Sequence, residues 1–194
     1  MTTTATEAWT SVPTAAGDLR TMIWIPDAPG PLPGIVLVDG SGDGACDDWG
    51  EWPKRFVDCG AVVLAHDKPG CGGSPGNWME QTFGDRARES LAALAVLRAH
   101  PACDGRPVGL LGFSQGGWVG LLAATLGDVD FVVSLSGPGV SPAVQLRPLQ
   151  GHHRARGHAH VVQFGHAAPR FGLRTPGVSD ASAHEAAVRS TCTA

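Results

Sequence analysis

The stretch that decides the fold is VGLLGFSQGG, residues 108–117, which continues as WVGLLAATL to residue 126. An apolar run enters a turn of the form G-x-S-x-G, made by Gly112, Ser114 and Gly116, and a helical pattern leaves it. This order predicts a strand, a sharp turn and a helix. The two glycines keep atoms from colliding, and the Ser114 hydroxyl then stands at the carboxyl edge of the sheet, where open α/β sheets bind ligands. The spacing favours a nucleophile over a serine that merely occupies a tight turn.

Similar apolar runs alternate with helical patterns along most of the chain. Strands are predicted at 35–38, 61–65, 107–111 and 131–135, and helices at 48–59, 82–100 and 114–126. Asp47 or Asp48 is the expected N-cap of the first helix. Residues 5–26 predict a β-hairpin. Alternating strands and helices imply right-handed crossovers, so we expect an α/β fold with a mostly parallel sheet flanked by helices and an N-terminal β-hairpin.

The composition divides the 194 residues into two unlike parts. Up to residue 140 there are 16 acidic and 8 basic groups, and after it 2 acidic and 6 basic groups with six of the eight histidines. Periodicity also fades after about residue 145. We therefore predict a core at 1–145 and an irregular or disordered segment at 146–194. A truncated or frameshifted GC-rich gene would produce the same change in composition.

Several functional classes are disfavoured by composition. No run of about 18 apolar residues is present, which predicts no membrane-spanning helix, and the first ten residues do not resemble a secretory signal. The net charge of −4 disfavours nucleic-acid binding. Five cysteines without a C-x-x-C pair predict free thiols, a cytoplasmic location and no metal site. We expect no cofactor.

Two glycine-rich loops follow predicted strands. Asp39-Gly40-Ser41-Gly42 could place a backbone amide, from Ser41 or Gly42, opposite a developing oxyanion, although an ordinary glycine turn would look the same. The amide of Gln115, at the start of a predicted helix, is a second candidate donor. The loop at 67–76 lacks the G-x-x-x-x-G-K-[ST] order of a phosphate cradle, so we interpret it as a structural loop that packs near the site.

Together these segments resemble the α/β-hydrolase superfamily, and most of all its bacterial dienelactone hydrolases and prolyl-oligopeptidase-like serine hydrolases. The resemblance covers residues 5–145 and rests on VDGSGDG (38–44), HDKPGCGGSPGNW (66–78), VGLLGFSQGGWVGLLAA (108–124) and FVVSLSGPGVSP (131–142). It implies that Ser114 is the nucleophile and that Gln115 and Ser41 form the oxyanion hole, with no metal or cofactor. The family's usual loop begins with histidine, where this chain has Asp39 and therefore a negative charge.

The acid and base of a catalytic triad are not identified by the sequence. A serine needs a histidine base and a carboxylate to orient it, and in this superfamily both follow the serine in the chain. Beyond residue 140 the acids are Asp180 and Glu185. The candidate bases are His152, His153, His158, His160, His166 and His184. Asp180 and His184 would share a face if their segment were helical, although a triad acid usually comes from a different loop than its histidine.

The resulting hypothesis is a serine hydrolase that acts on a small ester, thioester or amide (peptide-like) substrate through an acyl-enzyme on Ser114. The alternative is a non-catalytic or inactive truncated domain that lacks the triad acid and base. A weaker alternative is a thiol enzyme that uses Cys71 or Cys46. Loss of the late strands would uncover a sheet edge, so self-association through that edge is also predicted.

Overall fold

The computed structural model describes residues 3–137 in full and, beyond them, only the backbone of residues 160–164 and 172–174. Within these residues one sheet of eight strands organises the protein, in the order β1-β2-β4-β3-β5-β6-β7-β8. The strands are β1 (Ala5–Thr14), β2 (Gly17–Pro26), β3 (Gly34–Val38), β4 (Val62–His66), β5 (Val108–Phe113), β6 (Phe131–Leu135), β7 (His160–Phe164) and β8 (Gly172–Arg174).

The pairing confirms the predicted fold class. Strands β4, β3, β5, β6 and β7 run parallel to one another. The hairpin β1–β2 joins them antiparallel through β2 and β4, and β8 pairs antiparallel with β7. Because the parallel strands all end at one edge, the loops that follow β3, β4 and β5 meet there.

Helices cover both faces of this sheet. They are α1 (Trp52–Asp58), α2 (Phe83–Arg98) and α3 (Gln115–Leu126). Helices α2 and α3 pack against each other and against the central strands, whereas α1 packs on β2 and β4. Helix α2 begins with a capping box, in which Thr82 Oγ1 accepts from the Asp85 amide and the Asp85 carboxylate accepts from the Thr82 amide.

Two apolar layers hold the helices to the sheet. All five residues of β3 are buried, as expected for a strand covered on both faces. On the α2–α3 side, Val36, Leu110 and Leu97 belong to one buried cluster. On the α1 side, Leu37 and Val57 belong to the other. Each fully buried leucine or valine contributes about 1.5–3 kcal/mol, so these layers fix the position of the strand ends.

The first helix begins later than the sequence predicts. Helix α1 starts at Trp52 after Glu51, and Pro53 lies in its first turn as expected. Asp47 and Asp48 are not its N-caps, so that prediction was wrong. Asp47 binds the Arg20 guanidinium at 2.8 Å and Asp48 accepts from the Ala45 amide at 3.0 Å, and residues 46–51 form turns ahead of the helix.

The segment after residue 145 contributes to the sheet. Residues 160–164 form β7, which pairs with β6, and residues 172–174 form β8, which pairs with β7. The domain division at residue 145 stays a prediction, because apart from 160–164 and 172–174 the residues of 146–194 lie outside the described part of the chain. In the structure the sheet edges are β1 and β8, and self-association through an edge also stays a prediction.

Among the described residues, no helix has the length and apolar character needed to cross a bilayer. Among the described residues, Cys46, Cys71 and Cys103 are free thiols, as the sequence predicts.

Candidate active site

Ser114 occupies the strained turn that the sequence predicts. Its backbone has φ 52° and ψ −117°. Within residues 3–137, Ser136 is the only other non-glycine residue with a positive φ. The Ser114 amide donates to the Leu135 carbonyl at 2.8 Å, so strand β6 holds the turn in place. Such a conformation costs about 1–3 kcal/mol and persists only where its surroundings enforce it.

The two glycines of the motif are required by close backbone contacts. A Cβ at Gly112 would lie 2.1 Å from the Gly116 carbonyl oxygen, and a Cβ at Gly116 would lie 2.2 Å from the Val38 carbonyl oxygen. Real Cβ atoms do not approach backbone this closely, so no other residue fits without displacing β3 or β5. The motif spacing therefore reports a physical contact between the turn and the neighbouring strand.

The amide of Gln115 begins a twelve-residue helix, α3, directly after the serine. The first amides of a helix have no intrahelical acceptor, and the helix dipole places partial positive charge there. This arrangement suits an amide that binds a developing negative charge.

The loop after β3 lies against the same turn. A Cβ at Gly40 would lie 3.3 Å from the Ser114 Cβ and 3.2 Å from the Phe113 carbonyl oxygen. Ser41, the predicted second donor, is exposed at this edge. Within residues 3–137 its amide has no hydrogen-bond acceptor, whereas the Gly40 amide donates to the Asp39 carboxylate at 2.6 Å. The structure thus brings the three predicted residues Ser41, Ser114 and Gln115 to one edge of the sheet.

The charge of Asp39 is compensated within the loop. Its Oδ1 accepts from the Gly40 amide, and its Oδ2 lies 3.5 Å from the buried Lys68 Nζ. The loop closes around this carboxylate, since a Cβ at Gly44 would overlap Asp39 Oδ2. The aspartate that replaces the family's usual histidine is therefore a paired structural group of the loop.

The loop at 67–76 is structural and packs near the site, as predicted. Its first residue, Asp67, is fully buried and accepts from Arg20 Nε at 3.0 Å, the Cys46 amide at 2.7 Å and Ser74 Oγ at 2.9 Å. Burial alone would raise the pKa of Asp67, but the hydrogen bonds from Arg20, Cys46 and Ser74 outweigh it and hold that pKa below its usual range. Lys68 extends from this loop to the loop after β3.

Arg20 forms ion pairs within a cluster of side chains whose spacing would also suit a metal ion. The ligand atoms of Cys46, Asp47 and Asp67 lie within 4.8 Å of one another. The guanidinium of Arg20 contacts both carboxylates, at 2.8 Å and 3.0 Å, and supplies the positive charge there. Burial raises the pKa of Cys46 to about 12, so its thiol is neutral and the thiol-enzyme alternative fails for this residue.

Two buried cations at the site escaped the sequence analysis. Lys68, 2% exposed, donates to the carbonyls of Gly40 and Gly42. Arg86 of α2, 7% exposed, donates to the carbonyls of Asp39 and Gly40 and to the Gln115 side chain. In the sequence each is an ordinary basic residue, and no local signal marks either as buried.

A cavity of about 180 Å³ is lined by Asp39, Asp48, Trp49, Trp52 and Phe113. Phe113, the residue before Ser114, belongs to its lining, whereas Ser114 itself does not. A larger cavity of about 430 Å³ lies between the hairpin and α1, lined among others by Trp24 and Lys54. None of its lining residues belongs to the serine turn or to the loop after β3.

The candidate triad acids and bases cannot be placed. Asp180, Glu185 and the histidines at 152, 153, 158, 166 and 184 lie outside the described residues, and of His160 only the backbone is described, in β7. Within residues 3–137, His66 is the histidine at the carboxyl ends of the strands. Its Nδ1 is 2.8 Å from the Asp67 carbonyl oxygen, and its buried Nε2 has no partner there.

A parallel sheet in this strand order, with a strained serine between a central strand and its helix, defines the α/β-hydrolase class. The sequence matches the family model of X-Pro dipeptidyl-peptidase (S15 family) over residues 17–166. The chain belongs to that family. The match passes residue 145, where we expected the resemblance to end.

Individual relatives agree with this assignment. Acyl-coenzyme A thioesterase 1 of Mus musculus is 32% identical over 127 residues, which are 65% of this chain and 29% of the relative. The chain thus corresponds to less than a third of that protein. A provisionally assigned dienelactone hydrolase from Klebsiella pneumoniae superposes with a TM-score of 0.62 at 16% identity, covering 83% of this chain and 72% of that one. The α/β hydrolase GrgF from Penicillium gives 0.60 at 19% identity, covering 68% and 46%.

Proposed function

We propose that this protein is a serine hydrolase of small ester or thioester substrates that acts through an acyl-enzyme on Ser114. One observation carries the proposal: the strained turn holds Ser114 between two segments whose amides, at Ser41 and Gln115, have no acceptor within residues 3–137. Strained backbone of this kind clusters at active sites. Membership of the family and the similarity to a thioesterase support hydrolysis of ester or thioester bonds. The family is named for a peptidase, so hydrolysis of an amide bond is the second candidate.

In the proposed mechanism, Ser114 Oγ attacks the carbonyl carbon of the substrate. The electron pair of the carbonyl moves to its oxygen, and the amides of Ser41 and Gln115 donate to that oxyanion. Collapse of the tetrahedral intermediate expels the alcohol or thiol and leaves an ester on Ser114. Water then attacks this ester and releases the carboxylic acid and the free serine. A histidine base must take the serine proton and return it to the leaving group, and we assign this role to the part of the chain beyond residue 140.

We place the acyl group in the cavity that Phe113 lines, and the size of that cavity supports a small acyl group. At about 180 Å³ it is below the usual 300–1,000 Å³ of ligand pockets. Trp49, Trp52 and Phe113 give it an aromatic wall suited to an apolar acyl chain. We therefore propose short-chain acyl substrates ahead of peptides.

Covalent labelling with a fluorophosphonate tests the proposal. We expect one adduct, located at Ser114 by peptide mass spectrometry and absent from Ser114→Ala. Ser136→Ala is the matched control, because Ser136 is a neighbouring serine that also has a positive φ, of 54°. Short p-nitrophenyl esters and acyl-thioesters, assayed in parallel, then separate the ester and thioester alternatives. Folded wild-type protein that neither labels nor hydrolyses would instead support the non-catalytic alternative.

A further inference from the structure

Arg86 joins the two backbone segments that flank Ser114. Its Nη2 donates to the Asp39 carbonyl at 2.6 Å, and its Nη1 donates to the Gly40 carbonyl at 3.3 Å and to Gln115 Oε1 at 2.7 Å. One side chain of α2 therefore ties the loop after β3 to the first residue of α3. These are the segments that carry the two proposed oxyanion donors.

Lys68 acts on the same loop from the neighbouring strand end. Its Nζ donates to the Gly40 carbonyl at 2.8 Å and also to the Gly42 carbonyl. The Gly40 carbonyl thus accepts from two buried cations. Burial lowers the pKa of Lys68 and of Arg86, but an arginine stays charged at any pH at which the protein is folded.

Holding a carbonyl also sets the direction of the next amide. A trans peptide is planar, so the Ser41 N–H points opposite to the Gly40 C=O, and residues 3–137 contain no cis peptide. Since both cations bind the Gly40 oxygen from the interior, the Ser41 N–H points away from the interior, to the exposed edge. Cations on a carbonyl also polarise its peptide group and strengthen the N–H as a donor.

Arg86 donates mainly to backbone carbonyls, as expected of a side chain that positions the backbone. Its hydrogen-bond acceptors are two carbonyls and one side-chain amide, while the carboxylates of Asp39 and Glu89 act on it only through space. Burying a charge without a hydrogen-bonded counter-ion is expensive, and an apolar side chain of similar volume would avoid that expense. A buried arginine is therefore less stabilising here than an apolar side chain would be, as expected of a residue that orients the loop.

We propose that Arg86 is a positioning residue that orients the Ser41 amide toward the oxyanion and ties its loop to the Gln115 side chain at the start of α3, with Lys68 sharing the Gly40 carbonyl. The inference rests on the proposed serine hydrolase function. It makes Arg86 a determinant of transition-state binding, since the oxyanion exists only after attack by Ser114.

Kinetics of Arg86→Met and Arg86→Lys test the inference. Removal of one oxyanion donor lowers kcat by about 10²–10³-fold, so we expect Arg86→Met to lower kcat by roughly 30- to 300-fold with KM changed less than about threefold. Lysine keeps the charge but not the forked geometry, so we expect Arg86→Lys to recover part of the rate and still fall roughly fivefold or more below wild type. The fluorophosphonate labelling rate should fall in parallel.

Arg98→Met is the matched control. Arg98 lies on the same helix and donates to the Asp128 carbonyl at 3.1 Å and to Asp130 Oδ2 at 2.9 Å, at the opposite ends of the strands. It should lose stability without a change in kcat. A purely structural role for Arg86 predicts the same pattern for both arginines.

The outcomes separate the two proposals. If wild-type protein labels at Ser114 and Arg86→Met keeps wild-type kcat and labelling rate, the inference is overturned and the proposed function stands. If wild-type protein neither labels nor hydrolyses, both are overturned. Should Arg86→Met not fold, Arg86→Lys decides: a wild-type kcat overturns the inference, and a fall of fivefold or more with unchanged KM supports it.

Discussion

Replacing Ser114 by glycine should stabilise the protein while abolishing its proposed chemistry. At most positions a glycine variant is less stable than the alanine variant, because glycine loses more conformational entropy on folding. Ser114 has φ 52° and ψ −117°, which an L-residue adopts only under strain. Glycine relieves that strain, whereas alanine retains it. Ser114→Gly should therefore be more stable than Ser114→Ala, the reverse of the usual order.

The magnitude follows from two opposing effects. Strain at such a position amounts to about 1–3 kcal/mol. The greater freedom of glycine in the unfolded chain offsets about 0.4–1 kcal/mol. The difference favours Ser114→Gly over Ser114→Ala by roughly 0.5–2 kcal/mol, which is a Tm difference of about 1–8 °C for a chain of this size. Both variants lack the hydroxyl, so loss of that group cancels in the comparison.

Urea unfolding followed by tryptophan fluorescence measures the difference, with thermal unfolding as a second probe. Ser11 is the matched control, because it is exposed in β1 and is not among the described non-glycine residues with positive φ. There the alanine variant should be the more stable of the pair. If Ser114→Ala proves as stable as Ser114→Gly or more so, the turn is unstrained and the geometric basis of the nucleophile assignment fails.

Two further predictions concern the groups behind the site. Asp67→Asn should lower the free energy of unfolding by about 3 kcal/mol. This is the lower end of the range for a broken buried ion pair, because the Arg20 side chain is 34% exposed. A decrease below about 1 kcal/mol in urea unfolding would contradict this. Burial holds the pKa of His66 below 6.5, so on acidification the unfolded chain takes up a proton before the folded protein does. Stability should therefore fall as the pH drops below about 6.5. His66→Gln should flatten the dependence of Tm on pH between about 5 and 7.5, and an unchanged slope would show that another group is responsible.

Local patterns were sufficient to predict most elements of the fold. Apolar runs such as 131–135 became strands with the predicted bounds, because a strand covered on both faces needs apolar side chains in unbroken succession. The N-cap of α1 was mispredicted because the start of this helix depends on contacts that form only in the folded protein. Asp47 and Asp48 have the chemistry of a cap, but partners distant in the chain or in the preceding loop, Arg20 and Ala45, take up their carboxylates.

By itself, the sequence determined the strand–turn–helix at Ser114, because the apolar run, the glycine spacing and the helical pattern that follow one another there are all properties of neighbouring residues. It also determined the order of strands and helices, through periodicities that are properties of neighbouring residues. Only the tertiary structure decided what lies behind the site. Arg86, Lys68 and Asp39 come from three separate segments. The burial of the two cations and their shared acceptor, the Gly40 carbonyl, arise from the sheet order, which brings the ends of β3, β4 and β5 together. A buried cation and an exposed one look the same in a sequence, since the difference is the free energy of desolvation and that depends on the fold.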